Sequence, residues 1–294
     1  MSRIHIVTDS CASFVNRKLI QQYPVTVIPI TLNIGGKTYR NGIDASNEDM
    51  LGLIQQSGEP PQIISPSVED IVAVFAQAAE TADTIVSIHA SRELFPIWQR
   101  ARTAAHQMMG HCELVIIDSR TLCAAQGLLV NVGIRAIDAG ATPAEVIEAV
   151  RSAVDRTYSL YYVESLAYLR HNELMSRSHA ALGSMLGVHP FIGIEEGRLV
   201  VNEKVKSWGQ AVERLVEFVQ EFEALEDSVI VQHSAQSTEH TRNLQDRLSA
   251  TFTENTFPYT VYSPALAALI GLDATGVVIL EEDTETYLDD DFED

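Results

Sequence analysis

Four short runs of aliphatic and β-branched residues punctuate the first part of this chain, with patterns of helical period between them. The runs are IHIVTDS (4–10), VTVIPITLNI (25–34), TIVSIHAS (84–91) and CELVIIDS (112–119). SVEDIVAVFAQAAETA and LFPIWQRARTAAHQMM, which separate them, carry apolar residues three and four apart, the spacing of one helix face. A strand that is apolar along its whole length is buried on both sides. Strand–helix alternation built from such strands predicts a parallel, doubly wound sheet with helices on both faces. VTVIPITLNI is expected to form a single strand, and Gly35-Gly36 a hairpin turn after it.

The pattern continues as helix through GLLVNVGIRAIDAG, which stops at Gly140, a C-cap residue. TPAEVIEAVRSAVDRT follows, with Thr142 as N-cap, Pro143 in the first helical position and Glu145 completing a capping box. After about Arg156 the rhythm changes. YSLYYV is a strand, and ESLAYLRH and SRSHAALGSML are helical. HPFIGIEEGRLVVNEKV holds two runs joined by Glu195-Glu196-Gly197, the mark of an antiparallel hairpin. A helix capped by Ser207, the strand DSVIVQHSA, the helix STEHTRNLQDRLSATF and the segments TVYSPALAALIG and TGVVIL complete the core. The expected architecture is α/β in two domains. Residues 1–156 form the mostly parallel sheet, residues 157–280 a mixed α+β layer, and residues 281–294 an acidic tail.

Charge limits the partners. The 294 residues carry 40 Asp and Glu against 20 Lys and Arg, a net charge of −20. That balance argues against nucleic acid, whose phosphates are bound by clustered cations. Part of it is concentrated in EEDTETYLDDDFED, Glu281 to Asp294, which is expected to be a frayed, solvated end. Cys11, Cys112 and Cys123 are odd in number and show no metal-ligand spacing. No apolar run approaches the ~20 residues that span a bilayer, and no signal peptide is visible. The expectation is a cytoplasmic protein with no metal and no cofactor.

In open parallel sheets, ligands bind outside the carboxyl ends of the strands. Three runs end alike, in Thr8-Asp9-Ser10, His89-Ala90-Ser91 and Ile117-Asp118-Ser119, and Ser65-Pro66-Ser67 forms a similar cluster before a helix. Hydroxyls and helix N-termini converging on one crevice make an anion site. Each Asp or Ser is equally explained as the cap of its own helix. Among the nine histidines, His5 and His89 fall inside predicted strands and are expected to be satisfied core or rim residues. There is no glycine-rich phosphate loop, no Gly-x-Ser-x-Gly elbow, and no evident nucleophile–base pair.

IHIVTDSCASF, VTVIPITLNIGGKTYRNGID, IVSIHAS, VIIDSRTLCAAQGLLV and SLAYLRHNELMSRSHAALGSMLGVHPFIGIEEGRLVVNEKVKS resemble, in that order, the blocks of the DegV family. The resemblance runs through nearly the whole chain. It implies a two-domain α/β protein that holds one long-chain fatty acid in a buried tunnel. It also implies a separate fatty acid kinase as partner, to which the acyl carboxylate is presented and which performs the phosphoryl transfer. On that basis the chain is not an enzyme.

The departures from the family blocks are specific. Ile63, Ile64, Ser65, Pro66 and Ser67 stand where the family has Thr-Ser-Gln-Pro-Ser. In the block Ser-Ser-x-Leu-Ser-Gly-Thr, Ser91 and Leu94 are kept, but Arg92, Phe95, Pro96 and Ile97 replace the rest. Asn172, Glu173 and Leu174 occupy the place of Gly-Gly-Arg, and Asp273 lies near a lost His. The resemblance therefore implies a lipid site bordered by Thr8, Asp9, Ser10, Ile63, Ile64, Ser65, Ser67, Ser91, Arg92, Leu94, Phe95, Asp118, Ser119 and Asp273. Arg92 is either a replacement contact to a carboxylate or a solvent-facing residue at a helix start. The apolar replacements fit a long-chain fatty acid or another hydrophobic ligand with weakened carboxylate presentation. They also fit a degenerate family member with no acyl ligand, acting as an interaction or regulatory protein.

Overall fold

The computed structural model describes residues 3–16 and 20–283. Its first sheet is four-stranded and wholly parallel. β1 (Ile4–Asp9) lies between β2 (Val25–Ile28) and β6 (Thr84–His89), and β7 (Glu113–Asp118) forms the far edge. Ile6, Val7, Ile85, Val86 and Ile88 are fully buried. At ~1.5–3 kcal/mol for each such side chain, this apolar core is what drives the sheet together. Helix pairs cover it: α2 (Val68–Ala79) packs with α3 (Ile97–Gln107), and α4 (Cys123–Asp138) with α5 (Pro143–Asp155).

The capping signals behave as chemistry dictates. Thr142 accepts from the Glu145 N–H while the Glu145 carboxylate accepts from the Thr142 N–H. Ser67 does the same with Asp70 at the start of α2, and Ser46 with Asp49 at the start of α1 (Asn47–Ser57). Gly127 sits in α4 where a Cβ would come within 2.0 Å of the Ser13 carbonyl oxygen. Only glycine lets that helix approach the loop after β1 so closely.

The stretch expected to be a single strand over 25–34 is two. β2 ends at Ile28 and β3 (Thr31–Ile34) turns away to pair antiparallel with β4 (Lys37–Arg40) and β5 (Gln62–Ile64) in a separate small sheet. Pro29 at the corner has no N–H to donate to a ladder. Ser10 holds the corner from both sides: its N–H donates to the Ile28 carbonyl at 2.9 Å, and its hydroxyl accepts from the Ile30 N–H at 2.9 Å. Gly35 and Gly36, at φ +56° and +82°, make the turn from β3 into β4.

The second sheet is six-stranded and mixed, in the order β10 (Arg198–Val205), β9 (His189–Glu195), β8 (Thr157–Val163), β13 (Ala274–Glu281), β11 (Leu225–Gln232), β12 (Tyr259–Val261). Its pleat sorts the side chains by period two. Leu160, Tyr162, Ile230, Val277 and Ile279 face α8 (Trp208–Gln220) and α9 (Glu239–Thr251), in a core with Leu215, Val219, Leu244 and Leu248. Tyr161, Val163, Val229, Val231, Val278 and Leu280 face the other way, into one continuous core with Ile6, Val7 and Leu129 of the first half. Short helices α6 (Ala167–His171), α7 (Arg177–Leu186) and α10 (Pro264–Ile270) finish this side. The run expected to fray from Glu281 stays ordered to Asp283, since Glu281 ends β13 and the Asp283 carboxylate accepts from the Ser152 hydroxyl at 3.1 Å. Residues 284–294 lie outside the described residues. Among the described residues no helix is long and apolar enough to cross a membrane.

Candidate functional site

Leaving β1, the chain builds β2 on one side and later β6 on the other. Strand order thus reverses between β1 and β6, and a crevice opens at the carboxyl ends of those two strands. Their last residues are Asp9 and His89.

Neither residue reaches solvent. His89 Nδ1–H donates to Asp9 Oδ2 at 2.9 Å, and the Ala90 N–H reaches the same oxygen at 3.1 Å. Asp9 Oδ1 accepts from the Cys11 N–H at 3.0 Å. Burial by itself pushes the Asp9 carboxyl up, but the bonds from His89, Ala90 and Cys11 outweigh it and hold its pKa below the ordinary value. On its other side, His89 Nε2 is 2.7 Å from the Ser87 hydroxyl, which is also unexposed. Carboxylate, imidazole and hydroxyl thus stand in the order of a nucleophile triad, which sequence reading did not detect because Asp9 lies eighty positions from His89. Sealed inside the sheet, the series fastens two strand ends together.

The other expected residues divide into three groups. The first packs around this pair. Thr8 accepts from Gln126 Nε2 at 3.0 Å, Ser10 holds the Pro29 corner, and the Ser119 N–H donates to the His89 carbonyl at 3.0 Å. Asp118 accepts from the Arg92 N–H at 3.3 Å and the Arg120 N–H at 3.1 Å. The Leu94 and Phe95 N–H groups both donate to the Ser91 carbonyl at 3.0 Å, turning the chain into α3.

The second group reaches the crevice by one remove. Arg100 of α3 donates to the carbonyls of Ser65 at 2.7 Å and Pro66 at 2.8 Å, which ties that loop to the helix behind Ser91. Ser67 is occupied as the cap of α2. Ile63 packs half-buried opposite Leu32, while Ile64 is exposed. The third group is Asp273 alone. It lines a separate 300 Å³ cavity with Glu48, Leu51, His233 and Ser234, and no crevice residue shares that cavity.

Two residues expected to meet a head group are already engaged. The fully buried Ser91 donates its hydroxyl to the Gly197 carbonyl at 2.7 Å and accepts from the Glu93 N–H at 3.2 Å. Gly197 is the tip of the β9–β10 hairpin, where Glu196 and Gly197 adopt φ +48° and +80°. A second half-to-first-half contact lies beside it, Arg198 on Glu93 at 2.6 Å. Arg92 lies against Asp118 at 3.4 Å and Glu93 at 3.5 Å, with its guanidinium 5.5 Å from the Trp98 ring centre. The hairpin tip therefore closes over the strand ends, a contact between positions 106 residues apart that local sequence cannot announce.

Beside the closed crevice is a cavity of about 200 Å³. Ala12, Phe14, Ile20, Val27 and Ile43 give it apolar walls, and Ser10, Gln21 and Asn41 give polar points. Among the described residues no cluster of His, Cys, Asp and Glu has the makings of a metal site.

Fold and site together define an α/β protein with two large sheets and a small third one, with a crevice at a parallel-sheet switch point, roofed by a hairpin from the six-stranded sheet. Residues 3–282 match the family model described as an uncharacterised protein of the DegV family. The chain belongs to that family. A DegV domain-containing protein of Caldanaerobacter subterraneus is 29% identical over 219 residues, which cover 74% of this chain and 77% of the relative. The fatty acid binding DegV family protein of Streptococcus agalactiae superposes with a TM-score of 0.84 at 20% identity, covering 96% of this chain and all of that one. The fatty acid kinase B3 protein of Streptococcus pneumoniae, solved loaded with linoleic acid, gives 0.82 at 18% identity over 95% of this chain and all of its own.

Proposed function

We propose that this chain binds a long-chain fatty acid, or a hydrophobic ligand of that kind, in a tunnel completed by two domains, residues 1–156 and 157–280. Family membership and the ligands named for the S. agalactiae and S. pneumoniae proteins support the ligand class. The observation that carries it is the single apolar core shared by the parallel sheet and the inner face of the second sheet, with the polar strand ends at its mouth. Thr8, Asp9, Ser10, Ser91, Asp118 and Ser119 border that mouth, and the cavity beside Ser10 is the entrance for an acyl chain.

Presentation of the carboxylate is weakened. Ile63 and Ile64 have no side-chain donor, Asp273 lines another cavity, and an acyl head must displace the Gly197 carbonyl to use Ser91. A lost charge-assisted hydrogen bond costs about 1.5–3 kcal/mol, whereas each buried methylene contributes about 0.8 kcal/mol. Binding survives that loss while hand-over to a fatty acid kinase suffers. The chain works as a binding protein in the cytoplasm, and catalysis belongs to its kinase partner.

Native mass spectrometry of purified protein, followed by solvent extraction and a binding titration of the delipidated chain, tests this. One long-chain fatty acid per chain is expected, with poor acyl phosphorylation when a fatty acid kinase is added. Delipidated protein that takes up no fatty acid would overturn the proposal. It would favour the degenerate, ligand-free interaction protein, for which the full engagement of the Ser91 hydroxyl within the fold already speaks.

A further inference from the structure

The cavity beside Ser10 has a polar corner, and the fold leaves one acceptor there unused. β4 runs into a tight loop over residues 41–45. The Asn41 N–H donates to the Ile30 carbonyl at 2.9 Å, and the N–H of Gly42, whose φ is +81°, donates to the Ala45 carbonyl at 3.0 Å. The backbone around Asn41 is thus fixed on both sides, and the residue is only 2% exposed. Asn41 Nδ2 donates to the Ser10 carbonyl at 3.2 Å. A carbonyl oxygen only accepts, so this bond orients the amide with its nitrogen toward Ser10 and its oxygen away. Asn41 Oδ1 takes no hydrogen bond among the described residues.

A second amide staples the same two segments. Asn47 Nδ2 donates to the Ser13 hydroxyl at 3.3 Å, and its Oδ1 is likewise unpaired among the described residues. The two differ in place. Asn41 lines the cavity of about 200 Å³ with Ser10 and Gln21, and Asn47 is not among its walls.

An acceptor taken out of water with no donor opposite it is a standing cost, and a ligand that brings a donor removes it. An ionised carboxylate brings none. It has lone pairs only, and beside Asn41 Oδ1 it would set acceptor against acceptor. A primary alcohol or primary amide brings an O–H or N–H, with no charge to desolvate. Ser91, the hydroxyl expected to hold a carboxylate, is already given to the Gly197 carbonyl.

We propose that the acyl ligand of this chain carries a neutral head group that donates a hydrogen bond, a primary alcohol or primary amide, and that Asn41 Oδ1 is the acceptor that selects it. The head lies at the Ser10 end of the cavity, with Ala12, Phe14, Ile20 and Val27 around the first methylenes. Such selection rests on the acyl binding proposed above and narrows its ligand from acids to neutral lipids.

The test is a competition on delipidated protein. Palmitic acid, methyl palmitate, hexadecanol and palmitamide are offered in equal amounts, and the bound lipid is extracted and quantified by mass spectrometry. At neutral pH, hexadecanol or palmitamide should exceed palmitic acid at least about fivefold, the low end for pairing one buried acceptor. Which of the two leads tells a hydroxyl from an amide. Methyl palmitate is neutral but has no donor, and should lag with the acid. As pH falls through the carboxyl range, palmitic acid gains an O–H and should close the gap. The ester and pH comparisons need no variant. Asn41→Ala should remove the advantage of the alcohol and the amide, whereas Asn47→Ala should keep it, with circular dichroism checking that both are folded. Palmitic acid or methyl palmitate bound as well as hexadecanol and palmitamide at neutral pH overturns the selection and leaves acyl binding standing. An advantage lost equally in Asn47→Ala also overturns it, since the effect is then one of loop packing. Uptake of none of the four lipids overturns both the selection and the acyl binding beneath it.

Discussion

Two buried polar networks close strand ends in this molecule, one in the parallel sheet and one in the six-stranded sheet, and they differ in charge and in access to water. At the end of β1 and β6, Asp9 and His89 form an ionisable pair with no exposed atom. At the end of β11, the equally buried Gln232 does the same work with a neutral amide. Its Nε2 donates to the carbonyls of Ser234 and Gln236 at 2.5 and 3.0 Å, and its Oε1 accepts from the Thr238 N–H at 3.1 Å and from the Thr241 hydroxyl. Both pin a loop to a strand. Only the first is sealed and titratable, while Ser234 and Gln236 of the second reach solvent. The comparison teaches where stability is concentrated and where it depends on pH.

Asp9→Ala should have the largest effect. It leaves His89 and two N–H groups unpaired in a dry site, and breaking a buried pair by removing one partner costs about 3–5 kcal/mol. Gln232→Leu leaves Ser234 and Gln236 beside water, with Thr241 alone losing its partner inside the fold, and should cost about 1–3 kcal/mol. Urea unfolding of both variants measures the gap. Equal losses would mean that the charge at Asp9 contributes nothing special.

Acid sharpens the same contrast. The Asp9 pKa is lowered in the folded chain from its ordinary 3.8, so its ionised form is favoured by folding. The stabilisation is fully present above pH 3.8 and is lost as pH falls through the lower folded value. The stability difference between native protein and Asp9→Asn should therefore shrink below that pH, whereas the Gln232→Leu difference should stay level. A gap for Asp9→Asn that persists unchanged into strong acid would remove the ionised carboxylate from the account.

The hairpin roof comes next in size. At Gly197 a Cβ would stand 2.5 Å from Ser91 Oγ, at φ +80°. Gly197→Ala should destabilise by about 1–3 kcal/mol. Adding Ser91→Ala removes the clashing oxygen, so the double variant should lose less than the sum of the two. Strict additivity would separate the hairpin tip from Ser91.

The first network was partly legible and the second was not. The parallel strands announced themselves as apolar runs, and the cap at Thr142 was visible because a capping box is complete within four residues. Asp9 and Ser10 stood out at a strand end, yet their work is internal: one fastens His89, the other turns the chain at Pro29. That proline was in plain view inside VTVIPITLNI, but an apolar run across it has the same composition as a continuous strand. What escaped entirely were pairings at long range. Ser91 with Gly197 and Asp9 with His89 are set by how two layers stack, and no local period encodes that. Asp273 is a different case: its place in a family block gives no sign that it lines a cavity with Glu48, Leu51, His233 and Ser234.

The smallest effect belongs to the exposed half of the roof. Arg198 puts Nε and Nη2 on one Glu93 oxygen, at 2.9 and 2.6 Å, but its side chain is 70% exposed. Such pairs contribute about 0–1 kcal/mol, because water screens them and two long side chains lose freedom. Arg198→Ala should therefore leave unfolding almost unchanged while loosening one of the two points that hold the hairpin over the strand ends. Its expected signature is kinetic: fatty acid exchange on delipidated protein should speed up modestly, and high salt should erase the difference. Ser91→Ala, acting on the buried point, should speed exchange more and be insensitive to salt. If Arg198→Ala changes exchange as much as Ser91→Ala does, the two contacts open as one, and the buried hydrogen bond loses its standing as the main latch.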